Sequence, residues 1–210
     1  MMAKTILDVS RWQGSIDWDK VKASGKIDGV MLRALGYKGG KPYVDTTFER
    51  NYAACAARGI PVGVYFWLGS TVAGGMVDLT AMLRSVLEGK TFQLPIAIDV
   101  EDPKLKALTP AELSALVRLY AAEIERLGFY AMVYTYTNFA DTALDMDALA
   151  AYDLWIADYR GKRPTRKHGM WQYTAEGTIP GVSGPVDLSH AYKDYPAIIK
   201  KAGLCKVKGA

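Results

Sequence analysis

The sequence predicts an α/β protein whose strands close into a single barrel, and three observations carry that prediction. Eight short runs rich in β-branched or aromatic residues recur along the 210 residues. The first five are mostly about 33 residues apart, the length of one strand–helix–strand repeat, with well-signalled helices between them. The last three follow at about 16 residues, too close for a crossover helix and its loops. Eight strands are enough to close a small barrel. A (β/α) barrel that has lost its helices in its last part is therefore expected.

The expected strands lie near Thr5–Val9, Gly29–Ala34, Pro61–Trp67, Leu94–Val100, Tyr130–Thr135, Asp153–Ala157, Gly169–Thr174 and Val186–Ser189. Before the third, Thr46 and Glu49 have the spacing of a capping box, Phe48, Tyr52 and Cys55 share one helical face, and Gly59 terminates the helix. Ala73–Glu88 repeats the amphipathic pattern before Gly89. The strongest helix follows Thr109-Pro110-Ala111-Glu112, a capping box with proline at the first helical position. Leu113, Leu116, Val117, Tyr120, Ile124 and Leu127 then keep a period of about 3.6 residues, and Gly128 closes the helix. No linker or internal repeat divides the chain. One barrel domain over residues 1–203 is expected, with a short basic tail at 204–210 and mobility from Lys200 onward.

Composition excludes several classes. Hydrophobic residues make up 50% and aromatic residues 11%, so the chain can bury a sizeable core and is not disordered. Two cysteines cannot build a disulfide framework or a four-thiolate zinc site, and two histidines leave little for a histidine-based metal centre. The longest uncharged stretch, Gly59 to Val77, is broken by glycine and proline and does not read as a spanning helix. The first residues contain no apolar run long enough for a secretory signal. A net charge of +4 permits an anionic partner without demanding one.

Candidate chemistry follows from alternation along the strands. In Leu94-Pro95-Ile96-Ala97-Ile98-Asp99-Val100-Glu101, the residues Ile96, Ile98 and Val100 share a face that must meet the helices, so Asp99 and Glu101 point into the barrel mouth. Working side chains of such barrels collect at the strand ends. Asp8 alternates with Leu7 and Val9, and Asp187 with Val186 and Leu188, so both also face inward. The first and eighth strands are neighbours in a closed barrel, which sets Asp8 beside Asp187. Four carboxylates in one mouth are costly to bury without a role, and like charges there force pKa values apart. Asp102, before Pro103, reads instead as a structural turn starter.

Aromatic residues gather at the same strand ends: Tyr65, Phe66 and Trp67, then Tyr134 and Tyr136, Trp155 and Tyr159, and Trp171 and Tyr173 around Gln172. Some must be core. Rings bordering a carboxylate-lined mouth suit a sugar, whose apolar faces stack on them. Competing chemistries are thin. Phosphate-binding glycine loops and H-E-x-x-H are absent, Ser183 lacks a nucleophile-elbow context, and His168 and His190 read as solvated loop residues. The basic run Arg160, Lys162, Arg163, Arg166 and Lys167 reads as a solvated loop, with attraction to an anionic polymer as its functional alternative.

In order along the chain stand Asp8-Val9-Ser10-Arg11-Trp12-Gln13-Gly14, Asp99-Val100-Glu101, Trp171-Gln172-Tyr173 and Val186-Asp187-Leu188. With this set, the chain from about Thr5 to Gly203 resembles family 25 of the glycoside hydrolases, lysozymes that cleave bacterial peptidoglycan. The resemblance implies a (β/α)5β3 barrel and cleavage between N-acetylmuramic acid and N-acetylglucosamine, with net retention. Glu101 matches the general acid/base and Asp99 the carboxylate supporting the reacting sugar, with Asp8 and Asp187 as flanking acids. Tyr65, Trp67, Tyr134, Trp155, Tyr159, Trp171 and Gln172 are the expected groove residues. No cofactor or metal is implied. The expected partner is peptidoglycan, bound by a monomer, without nucleic acid or membrane insertion. The missing leader resembles a phage endolysin held in the host cytoplasm until lysis; otherwise an extracellular enzyme is expected. A glycosidase of another N-acetylated polymer such as chitin, or a non-catalytic wall-binding barrel, remains the alternative.

Overall fold

The computed structural model describes residues 3–71 and 74–207. Among the described residues nine strands form one sheet: β1 (Lys4–Val9), β2 (Gly29–Lys38), β3 (Lys41–Val44), β4 (Val62–Trp67), β5 (Ile96–Asp99), β6 (Ala131–Tyr136), β7 (Asp153–Ala157), β8 (Met170–Gly177) and β9 (Val186–Ala191). Their order is β1-β9-β8-β7-β6-β5-β4-β2, closed into a barrel where β1 pairs with β2, while β3 hangs on β2 as a hairpin. The expected eight-stranded barrel is present. One direction differs from a purely parallel sheet. β9 runs antiparallel to both β8 and β1, because the short 178–185 link can only turn the chain back on itself.

The helices are α1 (Trp18–Ala23), α2 (Phe48–Ala57), α3 (Gly74–Leu87), α4 (Pro110–Leu127), α5 (Thr137–Thr142) and α6 (Tyr195–Ala202). In α4 the expected devices all appear. Thr109 and Glu112 cap reciprocally, Pro110 opens the helix, and Gly128 closes it in the left-handed region at φ 102°. The apolar period of α4 is its buried face. The start expected for α3 at Ala73 lies outside the described residues.

Several expectations need correction. Thr46 and Glu49 do not form a capping box. Thr47 is the N-cap of α2 and spends its hydroxyl on Asp45 Oδ1 (2.8 Å), while Glu49 pairs with Lys90 (3.1 Å). After the last strand the chain adds one short helix, α6, whereas α5 is the helix of the fifth strand–helix unit. Lys200 belongs to α6 rather than to a mobile tail. Beyond it Cys205 bridges to Phe129, and Val207 is buried. His190 lies on β9, stacked on Tyr173 (4.2 Å), and His168 is half-buried against the Tyr192 ring (5.4 Å). Among the described residues, no helix is long and apolar enough to cross a membrane.

Two apolar layers sandwich the sheet. Leu7, Val30, Leu32, Ile96, Ile98 and Val133 face the helices. Ile6, Met31, Ala97, Met132, Trp155 and Met170 fill the barrel interior, which Tyr195 and Ile199 of α6 help to line. Each fully buried Val, Leu, Ile or Met among them contributes roughly 1.5–3 kcal/mol. A one-residue slip would exchange the layers and forfeit several of these contributions. The same register that buries Ile96 and Ile98 outward thus holds Asp99 inward.

Candidate active site

The four predicted carboxylates meet. Asp99 ends β5, and Glu101 follows two residues later on the same side. Asp8 on β1 stands directly opposite Asp187 on β9 in the antiparallel ladder. Because β9 is reversed, Asp187 reaches the mouth from the start of its strand, not from its end. All four line one cavity of 270 Å³. A second cavity of 530 Å³ continues outward along Tyr136, Thr137, Asn138, Asp158 and Arg160. Glu101, Tyr134 and Tyr159 line both cavities, so Glu101 stands at their junction.

Burial dominates the electrostatics. Asp99 is 3% exposed and its Oδ1 has no hydrogen-bond partner; burial first, then the charges of Glu101 and Asp8, push its pKa well above the usual carboxylate range. Asp8 is lifted in the same way by burial and by Asp187, and its Oδ1 is also unpartnered. Glu101 is pushed up to about 7 by burial, then by Asp187 and Asp102. Asp187 is raised by burial. These groups share their protons, so titration belongs to the cluster. Arg33 supplies the bias within it, opposing the rise at Asp8 and Asp99. Arg33 thus favours the ionised forms of Asp8 and Asp99 without overcoming the effect of their burial.

Neutral groups brace the carboxylates. Gln172 Nε2 donates to Asp8 Oδ2 (3.0 Å), while its Oε1 accepts from Tyr134 (2.8 Å) and Tyr159 (2.6 Å). The Trp155 ring meets Tyr134 edge-on at 4.6 Å, and its Nε1 donates to Ser189 Oγ (3.0 Å). Trp67 Nε1 donates to Asp102 Oδ2 (3.3 Å), and Asp102 caps the turn that follows it, the structural part expected for it. Tyr65, Trp67, Tyr134, Trp155, Tyr159 and Gln172 all line the inner cavity. Trp171 does not. Gln172 points inward, so its neighbour points outward, where Trp171 packs with Leu154 and Ile156 and donates to the Asp158 carbonyl (2.8 Å).

Sequence reasoning missed Arg33, Asp45, Ser10, Trp12 and Gln13. Arg33 lines the inner cavity and is held by the buried Asp45, Nε to Oδ2 at 2.8 Å. Its signal was present: a lone arginine within the apolar run Val30-Met31-Leu32-Arg33-Ala34-Leu35 needs a partner or a role. Asp158 also escaped notice. Arg160 and Thr137 bond its carboxylate, and those bonds hold its pKa far below the usual range against a smaller opposing effect of burial. Within the basic run, Arg166 pairs with Asp141 and Arg163 covers the Tyr192 ring at 3.6 Å. Among the described residues, no three His, Cys, Asp or Glu side chains are set to hold a metal ion.

Comparison with known proteins gives a consistent result. The family model described as Glycosyl hydrolases family 25 matches residues 7–182. The autolytic lysozyme of Clostridium acetobutylicum is 29% identical over 184 residues, 87% of this chain and 54% of that protein. The chain thus spans about half the length of that relative. A crystal structure of the bacterial lysozyme from Streptomyces coelicolor superposes with a TM-score of 0.80 at 24% identity, covering 95% of this chain and 97% of that one, which shows a shared fold. The spore cortex lytic enzyme SleM of Clostridium perfringens superposes with a TM-score of 0.81 at 26% identity, covering 90% of this chain and 67% of that one.

Proposed function

Since the chain belongs to family 25 of the glycosyl hydrolases, we propose that its barrel mouth hydrolyses the glycan of bacterial peptidoglycan, at the β-1,4 bond between N-acetylmuramic acid and N-acetylglucosamine. The observation that carries the reading is Glu101. It is a carboxylate lifted to about 7, at the junction of two cavities and beside the buried Asp99. A group so poised is protonated in a useful fraction near neutral pH and can give its proton to a leaving glycosidic oxygen. Once ionised, it can take a proton from the water that completes the reaction.

Asp99 stabilises the positive charge that develops on the sugar ring, either by direct attack or by orienting the substrate's own N-acetyl group. Both routes give net retention. Asp187 and Asp8, the latter braced by Gln172, complete the acidic lining, and the negative charge the cluster carries favours a cationic transition state over the neutral ground state. The 530 Å³ outer cavity offers room for the strand on the leaving side, with the half-exposed Tyr159 (53%) as a stacking face. The deciding experiment is mass spectrometry of digested peptidoglycan, which identifies the reducing sugar. Reducing N-acetylmuramic acid is expected. Reducing N-acetylglucosamine, or release from chitin alone, would overturn the assignment.

A further inference from the structure

An exposed tryptophan is the least explained feature of the mouth. Trp12 is 73% exposed, yet it lines the inner cavity. A ring exposed at the rim of a cavity is a ready stacking face for a ligand. Nor is it a loose side chain on a loose loop. Ser10 and Gln13 form a capping box around the turn Arg11–Gln13, and the Arg11 N–H donates to Asp45 Oδ2 (3.1 Å). The same Asp45 oxygen accepts from Arg33 Nε, so rim and floor of the cavity share one anchor.

Beside Trp12 lies an uncompensated charge. The Arg11 guanidinium sits 4.7 Å from the Trp12 ring centroid and 5.2 Å from that of Tyr43 on β3. Among the described residues, no carboxylate lies within ion-pair distance of it. A guanidinium stacked on rings keeps its N–H edge free in the ring plane, the geometry that accepts a carboxylate bidentately. A neutral glycan can offer it hydroxyl and acetamido oxygens but no counter-charge. An acidic glycan can: its charges are disfavoured beside the acidic cluster behind the rim, and Arg11 offers them a counter-charge beside Trp12.

We propose that Arg11, lying over the Trp12 and Tyr43 rings, is a receptor for carboxylates carried by the glycan, and so selects acidic muramyl strands with their lactyl and stem-peptide groups over neutral chitin-type strands. This inference rests on the glycosidase reading above and names the substrate class of the same mouth. The docked carboxylate holds the strand's acidic substituents at the rim, away from the cluster, while its backbone enters the cavity past Trp12. No covalent step is involved.

The test compares wild type with Arg11→Gln, Arg11→Lys and Trp12→Ala. KM and kcat are measured on soluble, uncross-linked muramyl glycan strands at low and high NaCl. Calorimetric titration with a chitooligosaccharide gives affinity for the neutral strand. Arg11→Gln is expected to raise KM on the acidic strands about five- to tenfold at low salt, the range for an exposed charge-assisted contact. It should also remove most of the rise in KM that salt causes in the wild type, and leave chitooligosaccharide affinity unchanged. Arg11→Lys should fall between the two, keeping the charge and losing the planar edge. Trp12→Ala should weaken acidic and neutral strands alike. The variants keep the backbone N–H that ties residue 11 to Asp45, so the turn survives. A wild-type KM in Arg11→Gln, or an equal loss on both strand types, overturns the inference. Should the wild type release no reducing ends from muramyl strands, it is the glycosidase reading that fails. Calorimetric titration with acidic and neutral oligosaccharides then still decides the case of Arg11.

Discussion

Two aspartates, Asp45 just past the hairpin strand β3 and Asp99 at the end of β5, are both closed off from solvent, at 2% and 3% exposure. Around Asp45 the chain has gathered donors: the Thr47 N–H and hydroxyl, the Arg11 N–H and the Arg33 guanidinium. Burial alone would raise its pKa, but those bonds outweigh it and hold the carboxyl below the usual range. Around Asp99 the neighbours are other acids, one oxygen has no partner, and the pKa goes well up. Both acids are closed off from solvent, but Asp99 lies deeper in the protein and lacks the donors that Asp45 has gathered, so depth and donors together decide whether a buried acid is structure or strain. Strain of this kind is the reserve a catalytic mouth draws on, and the donor-rich corner beside it supplies the stability to hold it.

The largest effect expected comes from removing the group poised between these extremes. Glu101→Gln should lower the rate of reducing-end release from sacculi by roughly 10²- to 10⁴-fold while the circular dichroism spectrum stays unchanged. Retained turnover would mean that the acid lies elsewhere. Next comes the donor-rich side of the comparison. Asp45→Asn leaves Arg33 buried without its counter-charge, and breaking a buried pair in this way costs about 3–5 kcal/mol, read by urea denaturation. The sign with pH follows from the lowered pKa. Asp45 stabilises the fold fully above the ordinary carboxylate range and loses that contribution as pH falls below it. The gap between wild type and variant should therefore close in acid. A gap independent of pH would place the stabilisation outside the ion pair.

Arg33 connects the two aspartates, and its replacement sharpens the contrast at smaller cost. Its charge opposes the rise at Asp8 and Asp99, whereas Glu101 answers mainly to burial, Asp187 and Asp102. Tyr65 also faces Asp8, and Tyr134 faces Asp99 and Glu101. Arg33→Gln should move the acid limb of the kcat/KM profile upward by about one pH unit, at the low end for losing a nearby opposite charge, and shift the alkaline limb less. Arg33→Lys should restore most of the acid limb. Both variants lose stability through Asp45, but only a change in the cluster's ionisation moves the limb. Parallel displacement of both limbs would contradict the selective action of Arg33 on Asp8 and Asp99.

The mouth was largely legible before any coordinates because strand alternation and apolar burial pull the same way. Ile96 and Ile98 must face helices, so Asp99 and Glu101 face in, and closing eight strands sets Asp8 beside Asp187. Periodicity is blind to strand direction, which is why the reversal of β9 was not visible. The hairpin strand β3 escaped because Lys41-Pro42-Tyr43-Val44 is half exposed and carries a proline, leaving no apolar run to read. Trp171 was misjudged because a tryptophan near a strand end looks the same from either face; alternation with Gln172 held the answer. Asp45 and Arg33 stayed hidden for a different reason. Their pairing spans the β2–β3 hairpin, and a charge pair across a turn leaves no mark in the spacing of apolar residues.

The smallest expected effect is also the one that separates strain from structure most directly. Asp99→Asn keeps the shape of the side chain and removes the acid whose ionisation the cavity opposes. The same chemical change that weakens the fold at position 45 should strengthen it at position 99, by about 1 kcal/mol, or about 2–4 °C in Tm for a chain of this size. Its pH dependence has the opposite sign to that of Asp45. A carboxyl with a raised folded pKa costs nothing in acid and progressively more as pH climbs from the ordinary carboxylate range toward the raised value. The stabilisation by Asp99→Asn should therefore be near zero at pH 4 and largest at neutral pH, where wild-type activity is needed. Differential scanning calorimetry at the two pH values reads the difference. Destabilisation at both would show that Asp99 is held as firmly as Asp45, and the contrast between the two aspartates would fail.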